Sequence, residues 1–465
     1  MARTKKKEKD ARDDEPGTSP GSEARRLLPL FALGIAAAAV AWITSVLIDR
    51  ASLREMEARL PPPLELEQGD VPALARALER AHADVTDAIR RGAGPEEIGE
   101  RAGSLGKIYQ ANAHGERART AYRLAMELDP RDARWPYYLA FLGQQRGEAE
   151  SVTELLEQSI ALDPNYPPAW LKLADNQFKR GQEQEARASY QKRLALVPGD
   201  PYAHLGLARI AVGSSDWDSV RSHLEAATQT APYFGAAHRL LARAYEQLGD
   251  ARSAAAASAR AADGDRFFPA PDPLVDDLFD LCFDVDWLLA NAYKYAFVRG
   301  SDVANRMFNR ALDLEPENPK VYLILGQTTQ DLDQARRAFE TAVSLDPDNP
   351  EAYGFLGEAL RQLGQLQGAE PVLREAVRLG SAMPMTYENL GLCLAEQSRF
   401  EEAIGYLQQA VDMEPEGIDY RLSLAGALAR AGRTAEARRH YRKVLAIRPD
   451  HEVAKASLSR LGGNR

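Results

Sequence analysis

The stretch from Asn165 to Pro198, NYPPAWLKLADNQFKRGQEQEARASYQKRLALVP, decides the fold of this chain. Its first half has apolar residues three and four apart, and Lys-Arg-Gly around Gly181 interrupts that spacing. The second half resumes the same period until the proline forbids continuation. The pattern therefore predicts two short amphipathic helices joined by a turn. Large and small residues alternate along them in a fixed order: Trp170, Leu173, Ala174, Ala186 and Tyr190.

The same order of large and small residues returns up and down the chain. Prolines that end a unit stand 34 residues apart, at Pro130, Pro164, Pro198 and Pro232. Counting further units of this kind gives ten between residues 99 and 465. The pattern resembles the tetratricopeptide repeat, whose period is about 34 residues and whose single unit cannot bury its apolar face alone. The resemblance implies an all-α fold, a right-handed α-solenoid of about ten helix-turn-helix repeats.

Three segments precede the repeats. Residues 1–26 are polar and charged and predict a disordered tail. Residues 27–48 contain no charge, and about 20 apolar residues span a bilayer as a helix, so they predict a transmembrane anchor. A buried core helix and a cleaved signal peptide are the alternatives. Residues 49–70, with three consecutive prolines from Pro61 to Pro63, predict a stalk or linker.

The charges around residues 27–48 predict the orientation of the anchor. Eight lysines or arginines precede this segment, whereas Arg50, Arg54 and Arg59 follow it closely. Positive charge stays on the cytoplasmic side of a membrane. We therefore expect the N-terminus in the cytoplasm and the repeats on the outer, periplasmic side of a bacterial inner membrane.

The repeats are predicted to form two blocks, residues 71–262 and 287–465, each with a capping helix. The capping helices are expected at residues 71–91 and 452–461. Between the blocks, residues 263–286 exceed the repeat period and mix aspartates with phenylalanines. Leu274, Leu278 and Leu281 are spaced as a helical stripe there. We expect the stripe to pack on neighbouring repeats and to set a bend.

The composition excludes several functional classes. A net charge of -10 argues against a general nucleic-acid binder, which needs a basic surface. Cys282 and Cys393 fall in different repeats and are expected to be packing residues. No catalytic motif has its required spacing. We therefore predict no enzyme activity, no cofactor and no metal site.

In proteins that this chain resembles, the first helices of the repeats line a concave groove that binds protein segments. The resemblance implies which positions of this chain line the groove. In chain order, the residues at these positions are first aromatic or aliphatic and then basic. They are Tyr137, Phe141, Leu171, Leu205, Arg209, Arg239 and Arg243. The equivalent positions near the C-terminus are acidic: Glu351, Glu358 and Glu388. We predict that an extended peptide, acidic or ending in a free carboxylate, binds the N-terminal half against Tyr137 and Phe141.

Two functional classes remain open. The chain is similar to uncharacterised bacterial membrane-anchored repeat proteins, and the resemblance implies a scaffold, adaptor or assembly factor, in exported-protein or cytochrome-related complex assembly. The alternative is a regulatory or substrate-recruiting arm of an enzyme complex, such as one with a glycosyltransferase. The sequence leaves open the client proteins, the pathway, the oligomeric state and the role of residues 263–286.

Overall fold

A computed structural model describes residues 52–64, 72–263, 269–296 and 302–462. These residues form helices and short connections, and no β-strand occurs among them. The predicted tail, residues 1–26, and the predicted anchor, residues 27–48, lie outside the described ranges. Within those ranges, no helix has the length and apolar character needed to cross a bilayer.

Ten helix pairs follow one another along the described chain, which confirms the predicted all-helical repeat architecture. Each pair is called a repeat below and is numbered from one to ten. The pairs are Pro95–Ala111 with Gly115–Leu128, Arg134–Arg146 with Ala149–Leu162, Pro167–Lys179 with Glu183–Leu196, Pro201–Gly213 with Trp217–Thr230, Gly235–Gln247 with Ala251–Asp263, Val285–Ala296 with Asp302–Leu314, Pro319–Thr328 with Leu332–Leu345, Pro350–Gln362 with Leu366–Arg378, Pro384–Glu396 with Phe400–Met413, and Ile418–Arg430 with Thr434–Ile447.

Local signals in the sequence fix where these helices begin and end. Repeat four begins with Pro201, and the carboxylate of Asp200 accepts a hydrogen bond from the Ala203 N–H at 2.8 Å. Such a cap satisfies a backbone donor that the helix itself leaves without a partner. The turn inside a repeat needs one left-handed residue, which is Gly181 in repeat three, with φ of 75°. Ser215 takes this conformation in repeat four, with φ of 55°.

The small residues of the pattern lie where two helices approach each other. Ala174 and Ala186 of repeat three have no exposed surface. Large residues fill the wider spaces between repeats, as where Tyr122 of repeat one stacks on Tyr138 of repeat two with ring centroids 5.1 Å apart. Each helix packs mainly on the helices next to it in sequence. The core is therefore a series of apolar clusters along the stack, each formed between neighbouring helices.

A helix covers each end of the stack. At the N-terminal end, Pro72–Arg90 packs on the first helix of repeat one and buries Leu78 and Val85. At the C-terminal end, Glu452–Gly462 packs on the second helix of repeat ten.

The predicted stalk lies against the stack in its described part. Residues 52–58 are helical, and Met56 and Leu60 pack on the core of repeat one. The Glu57 carboxylate lies 2.9 Å from the Arg90 guanidinium of the N-terminal capping helix. Residues 52–64 are thus part of the folded body.

The segment between repeats five and six differs from the expected helical stripe. It forms a short helix at Pro273–Asp276 and a 3₁₀ turn at Phe279–Leu281, and repeat six begins at Val285. The 3₁₀ turn packs on the first helix of repeat one and on the second helix of repeat six. Pro273 stands at the first position of this short helix, where proline is tolerated. Leu274 and Leu278 pack on the core of repeats one and two, which are remote in sequence.

We expect Gly357→Leu to destabilise the protein by about 1–3 kcal/mol, as overpacking does. A side chain at Gly357, in the first helix of repeat eight, would overlap Leu373 of the second helix. Gly426→Leu is the matched control, because no atom lies within 4 Å of a Cβ built there. Chemical denaturation followed by circular dichroism measures both; equal destabilisation by the two variants would contradict the packing argument.

Candidate functional site

Tyr137 and Phe141 lie one turn apart on the first helix of repeat two. Tyr137 has no exposed surface, whereas Phe141 is half-buried. The ammonium of Lys172, on the first helix of repeat three, lies 4.7 Å from the centroid of the Phe141 ring and 5.9 Å from that of Tyr137. Aromatic faces attract a cation at this distance. Tyr137, Phe141 and Lys172 lie on the surface formed by the first helices of successive repeats. This surface is called the first-helix surface below.

The carboxylate of Asp272, from the segment between repeats five and six, is bound on the first-helix surface. The Tyr137 hydroxyl donates a hydrogen bond to Oδ2 at 2.6 Å, and the Tyr166 hydroxyl donates one to Oδ1 at 2.7 Å. The Lys172 ammonium lies 3.2 Å from Oδ2. Asp272 is 7% exposed. A buried carboxylate is costly unless it is paired and hydrogen-bonded, and here both oxygens have partners.

The hydroxyls of Tyr137 and Tyr166 are hydrogen-bond donors to Asp272. Burial raises the pKa of Tyr137 and of Tyr166, and the negative charge of Asp272 raises both pKa values further. An anion beside a phenol disfavours the loss of its proton. Both hydroxyls are therefore held in the protonated form that donates to the carboxylate.

Residues 269–284, called the docked insert below, run along the first-helix surface from repeat three toward repeat one. Ala270 packs against the buried cluster that contains Leu171. The Leu274 N–H donates to the Tyr166 hydroxyl at 3.2 Å, and the Leu274 carbonyl accepts from the Tyr138 hydroxyl at 3.0 Å. The surface thus binds both backbone and side-chain groups of the insert.

The docked insert reaches repeat one at its C-terminal end. Leu278 is buried in the core that repeats one and two share with the N-terminal capping helix. The Asn112 side chain donates to the Leu281 carbonyl at 2.9 Å and accepts from the Phe283 N–H at 2.9 Å. The Arg310 guanidinium of repeat six lies 4.4 Å from the centroid of the Phe283 ring. The docked insert therefore connects repeat one to repeat six.

The other residues predicted for the groove divide into two groups. Leu171 and Leu205 are buried in the core, at 6% and 5% exposure. The three arginines, Arg209, Arg239 and Arg243, are exposed on the first helices of repeats four and five. The Arg243 guanidinium lies 5.5 Å from the centroid of the Trp217 ring. The structure thus brings Tyr137 and Leu171 to the docked insert, places Phe141 beside Lys172, and leaves the arginines exposed beyond them.

Three residues of this site were not predicted from the sequence: Tyr166, Lys172 and Asp272. Tyr166 precedes the first helix of repeat three, and Lys172 lies next to Leu171, so neither occupies a groove position of the repeat pattern. One signal for Asp272 was available. The ligand expected from the groove was acidic and extended, and residues 263–286 have that composition themselves.

The C-terminal half of the stack presents carboxylates instead. Glu351 is exposed, while Glu358 and Glu388 are half-buried. Burial raises the pKa of Glu358 and of Glu388. The Gln362 amide donates to Glu358 at 2.9 Å, and the Ser423 hydroxyl donates to Glu388 at 2.7 Å. These donors are neutral, and the charge of Arg361 acts on both carboxylates and partly offsets the effect of burial on their pKa values.

Comparison with known sequences identifies the repeats. Two family models, both described as Tetratricopeptide repeat, match the chain. One matches residues 328–384 and 389–452, and the other matches residues 144–210. The matched ranges fall within repeats two to four and seven to ten.

Curated relatives match only parts of the chain. Cellulose synthase operon protein C of Pseudomonas fluorescens is 32% identical over 130 residues, which are 26% of this chain and 10% of that protein. Protein O-mannosyl-transferase TMTC1 of Mus musculus is 29% identical over 110 residues, 23% of this chain and 12% of that protein. The chain thus spans about a tenth of the length of these relatives.

Solved structures match this chain at low overall similarity. YrrB, described as a TPR protein with an unusual peptide-binding site, is 23% identical and has a TM-score of 0.33, over 38% of this chain and 93% of its own. Yeast Tom70 is 18% identical with a TM-score of 0.32, over 78% of this chain and 88% of its own. The family matches show that residues 144–210, 328–384 and 389–452 consist of tetratricopeptide repeats, and the ten helix pairs of the described chain have the helix-turn-helix form of that repeat.

Proposed function

We propose that this protein is a non-catalytic scaffold that binds acidic segments of other proteins on the first-helix surface of repeats one to three. The docked insert is the observation that carries the proposal. It is an acidic and aromatic segment, and the surface holds its Asp272 carboxylate through Tyr137, Tyr166 and Lys172. A partner segment with a carboxylate and a following apolar residue offers the same groups. Repeat proteins of this fold use such extended surfaces for binding.

The docked insert then competes with partner segments. A segment tethered within the same chain has an effective concentration on the order of millimolar. A partner therefore displaces the insert when it binds the surface more tightly than the insert does, or when its local concentration in an assembly exceeds the effective concentration of the insert. The exposed Arg209, Arg239 and Arg243 extend the acidic-ligand surface toward repeat five, since arginine forms strong paired hydrogen bonds with carboxylates.

We further propose that the scaffold is anchored in the inner membrane of a bacterium, with its N-terminus in the cytoplasm and its repeats on the periplasmic side. The uncharged residues 27–48 and the excess of lysine and arginine before them support this location. Client proteins in exported-protein or cytochrome-related complex assembly fit a scaffold at this position.

A recruiting arm of an enzyme complex is the second candidate. The names of two relatives, Cellulose synthase operon protein C and Protein O-mannosyl-transferase TMTC1, concern polysaccharide or mannosyl transfer, but their matches cover about a tenth of each protein. Affinity capture from membranes with the full chain distinguishes the two. Enrichment of one enzyme subunit supports the arm, and enrichment of several exported clients supports the scaffold.

A labelled peptide of residues 269–284 tests the binding surface in trans. We expect it to bind the Asp272→Ala chain at least tenfold more tightly than the unmodified chain, because the variant weakens the competing insert. Fluorescence anisotropy measures the binding. Tyr166→Phe with Lys172→Ala, added to Asp272→Ala, should remove most of the affinity, because these groups hold the carboxylate.

Two controls accompany this titration. Asp313→Ala changes an exposed aspartate of repeat six. This variant should bind the peptide with the same affinity as the unmodified chain. A peptide with alanine in place of Asp272 should bind the Asp272→Ala chain weakly. Equal binding of the two peptides would refute the proposed recognition of a carboxylate.

The docking of the insert should depend on pH through Asp276. Burial, and next the negative charge of Asp272, raise the pKa of Asp276 to about 6. A pKa above the unfolded value of about 3.9 means that stability falls as pH rises from about 4 to 6 and stays lower above it. We expect Asp276→Asn to slow hydrogen exchange of residues 272–283 at pH 7.5, because it raises the free energy of local opening of the insert by roughly 1–2 kcal/mol.

Hydrogen exchange read by mass spectrometry measures this effect at pH 4.5 and pH 7.5. Asp277→Asn is the control, because Asp277 is exposed and lies 3.2 Å from the Arg306 guanidinium. That variant should not gain protection at pH 7.5. If Asp276→Asn keeps the pH dependence of the unmodified chain, another group is responsible for it.

The location is tested with a C-terminal alkaline phosphatase fusion, which is active outside the cytoplasm. We expect an active fusion for the full chain, because the positive charges precede residues 27–48. Deletion of residues 27–48 should abolish the activity. An inactive full-length fusion would reverse the proposed orientation.

A further inference from the structure

The first helix of repeat seven is shorter than its counterparts. Pro319–Thr328 has 10 residues, whereas the first helix of repeat eight, Pro350–Gln362, has 13. The second helix of repeat seven, Leu332–Leu345, has the 14 residues found in repeats three and nine. Repeat seven thus lacks the last turn of its first helix and keeps the rest of the unit.

Repeat eight shows what this last turn does when it is present. Arg361 lies in the last turn and reaches the first helix of repeat nine. Its Nε donates to the Asn389 amide oxygen at 2.9 Å, and its Nη1 donates to the Glu396 carboxylate at 3.1 Å. The corresponding positions in repeat eight, 34 residues earlier, are Phe355 and Gln362. Repeat seven has no matching turn to reach them, and Phe339 of its second helix stacks on Phe355.

A cavity of about 430 Å³ lies where the turn is missing. Its walls include Phe339 and Phe355, whose rings stack with centroids 5.6 Å apart and an interplanar angle of 17°. Leu332 and Tyr293 line it as well and are 37% and 43% exposed. The cavity is therefore open to solvent and has aromatic faces on its sides.

One carboxylate lies in this wall. Glu358 accepts a hydrogen bond from the neutral Gln362 amide at 2.9 Å. The nearby cation, Arg361, is directed to repeat nine through its bonds to Asn389 and Glu396. Burial raises the pKa of Glu358, the charge of Arg361 and the Gln362 hydrogen bond oppose this shift, and the charge of Glu388 adds to it. A half-buried carboxylate whose hydrogen-bond donor is neutral is stabilised by a cation that enters the cavity and contacts it directly.

We propose that this cavity binds an arginine side chain of a partner protein, which takes the place of the missing turn of repeat seven. The guanidinium forms paired hydrogen bonds with the Glu358 carboxylate, and its plane lies against the aromatic wall at Phe355. A planar guanidinium suits both contacts, whereas an ammonium suits only the charge. The cavity therefore selects a positively charged ligand, whereas the segments proposed to bind repeats one to three are negatively charged.

The probe is N-acetyl-arginine methylamide, titrated against the full chain by saturation-transfer difference NMR. The matched probe is the citrulline analogue, which has the same shape without the charge, and a leucine analogue tests an apolar occupant. We expect the arginine probe to bind at least fivefold more tightly than either. Glu358→Gln should reduce that ratio to about one. Phe355→Ala should weaken the arginine probe by a further factor of a few.

Glu351→Gln is the control variant, since Glu351 lies on the same helix, is exposed and is outside the cavity. It should leave the preference for arginine unchanged. Thermal melting checks that Glu358→Gln is folded, and a neutral amide suits a half-buried position.

Equal binding of the arginine and citrulline probes overturns the proposal, as does a preference that survives Glu358→Gln. Tighter binding of the leucine probe overturns it in favour of an apolar occupant. These outcomes are separate from the titration with residues 269–284, which concerns repeats one to three.

Discussion

A single helix pair of this protein cannot bury its own apolar face, and this constraint governs the whole stack. Each repeat depends on the next one, so the two ends need a covering helix, and Pro72–Arg90 and Glu452–Gly462 provide it. The same need arises between repeats five and six, where the regular succession is interrupted. There the docked insert supplies Phe279 and Cys282 to the core of repeat six and Leu278 to the core of repeat one.

The repeats could be predicted from the sequence because their signals are local. The spacing of Ala174, Ala186 and Tyr190 reports contacts within one unit, and the prolines report the period. The position of the docked insert depends on a contact between Tyr137 and Asp272, which are 135 residues apart. No periodic pattern encodes such a pairing. The sequence showed an acidic and aromatic segment and an acid-binding surface, but not that the two are partners.

The surroundings of the predicted groove residues also could not be read from the sequence, for the same reason. Positions that face outward in an isolated repeat become buried when a remote segment covers them, as happens to Tyr137. Lys172 is equally outside the repeat pattern, and it matters because Asp272 approaches it. The short first helix of repeat seven is visible in the sequence as a loss of three residues. The cavity beside it is visible only when Phe355 and Glu358 of the next repeat are placed against that gap.

The link between repeats one and six also sets the order in which the chain can fold. Contacts inside the stack join residues close in sequence and form quickly, while closing a long loop costs more conformational entropy and comes later. Tyr137, Tyr166 and Lys172 must therefore be in place on folded repeats before Asp272 can find all three. Until that last step, the N-terminal repeats of a newly made chain expose an empty acid-binding surface. Under the proposed function, a client present during synthesis meets no internal competitor at that stage.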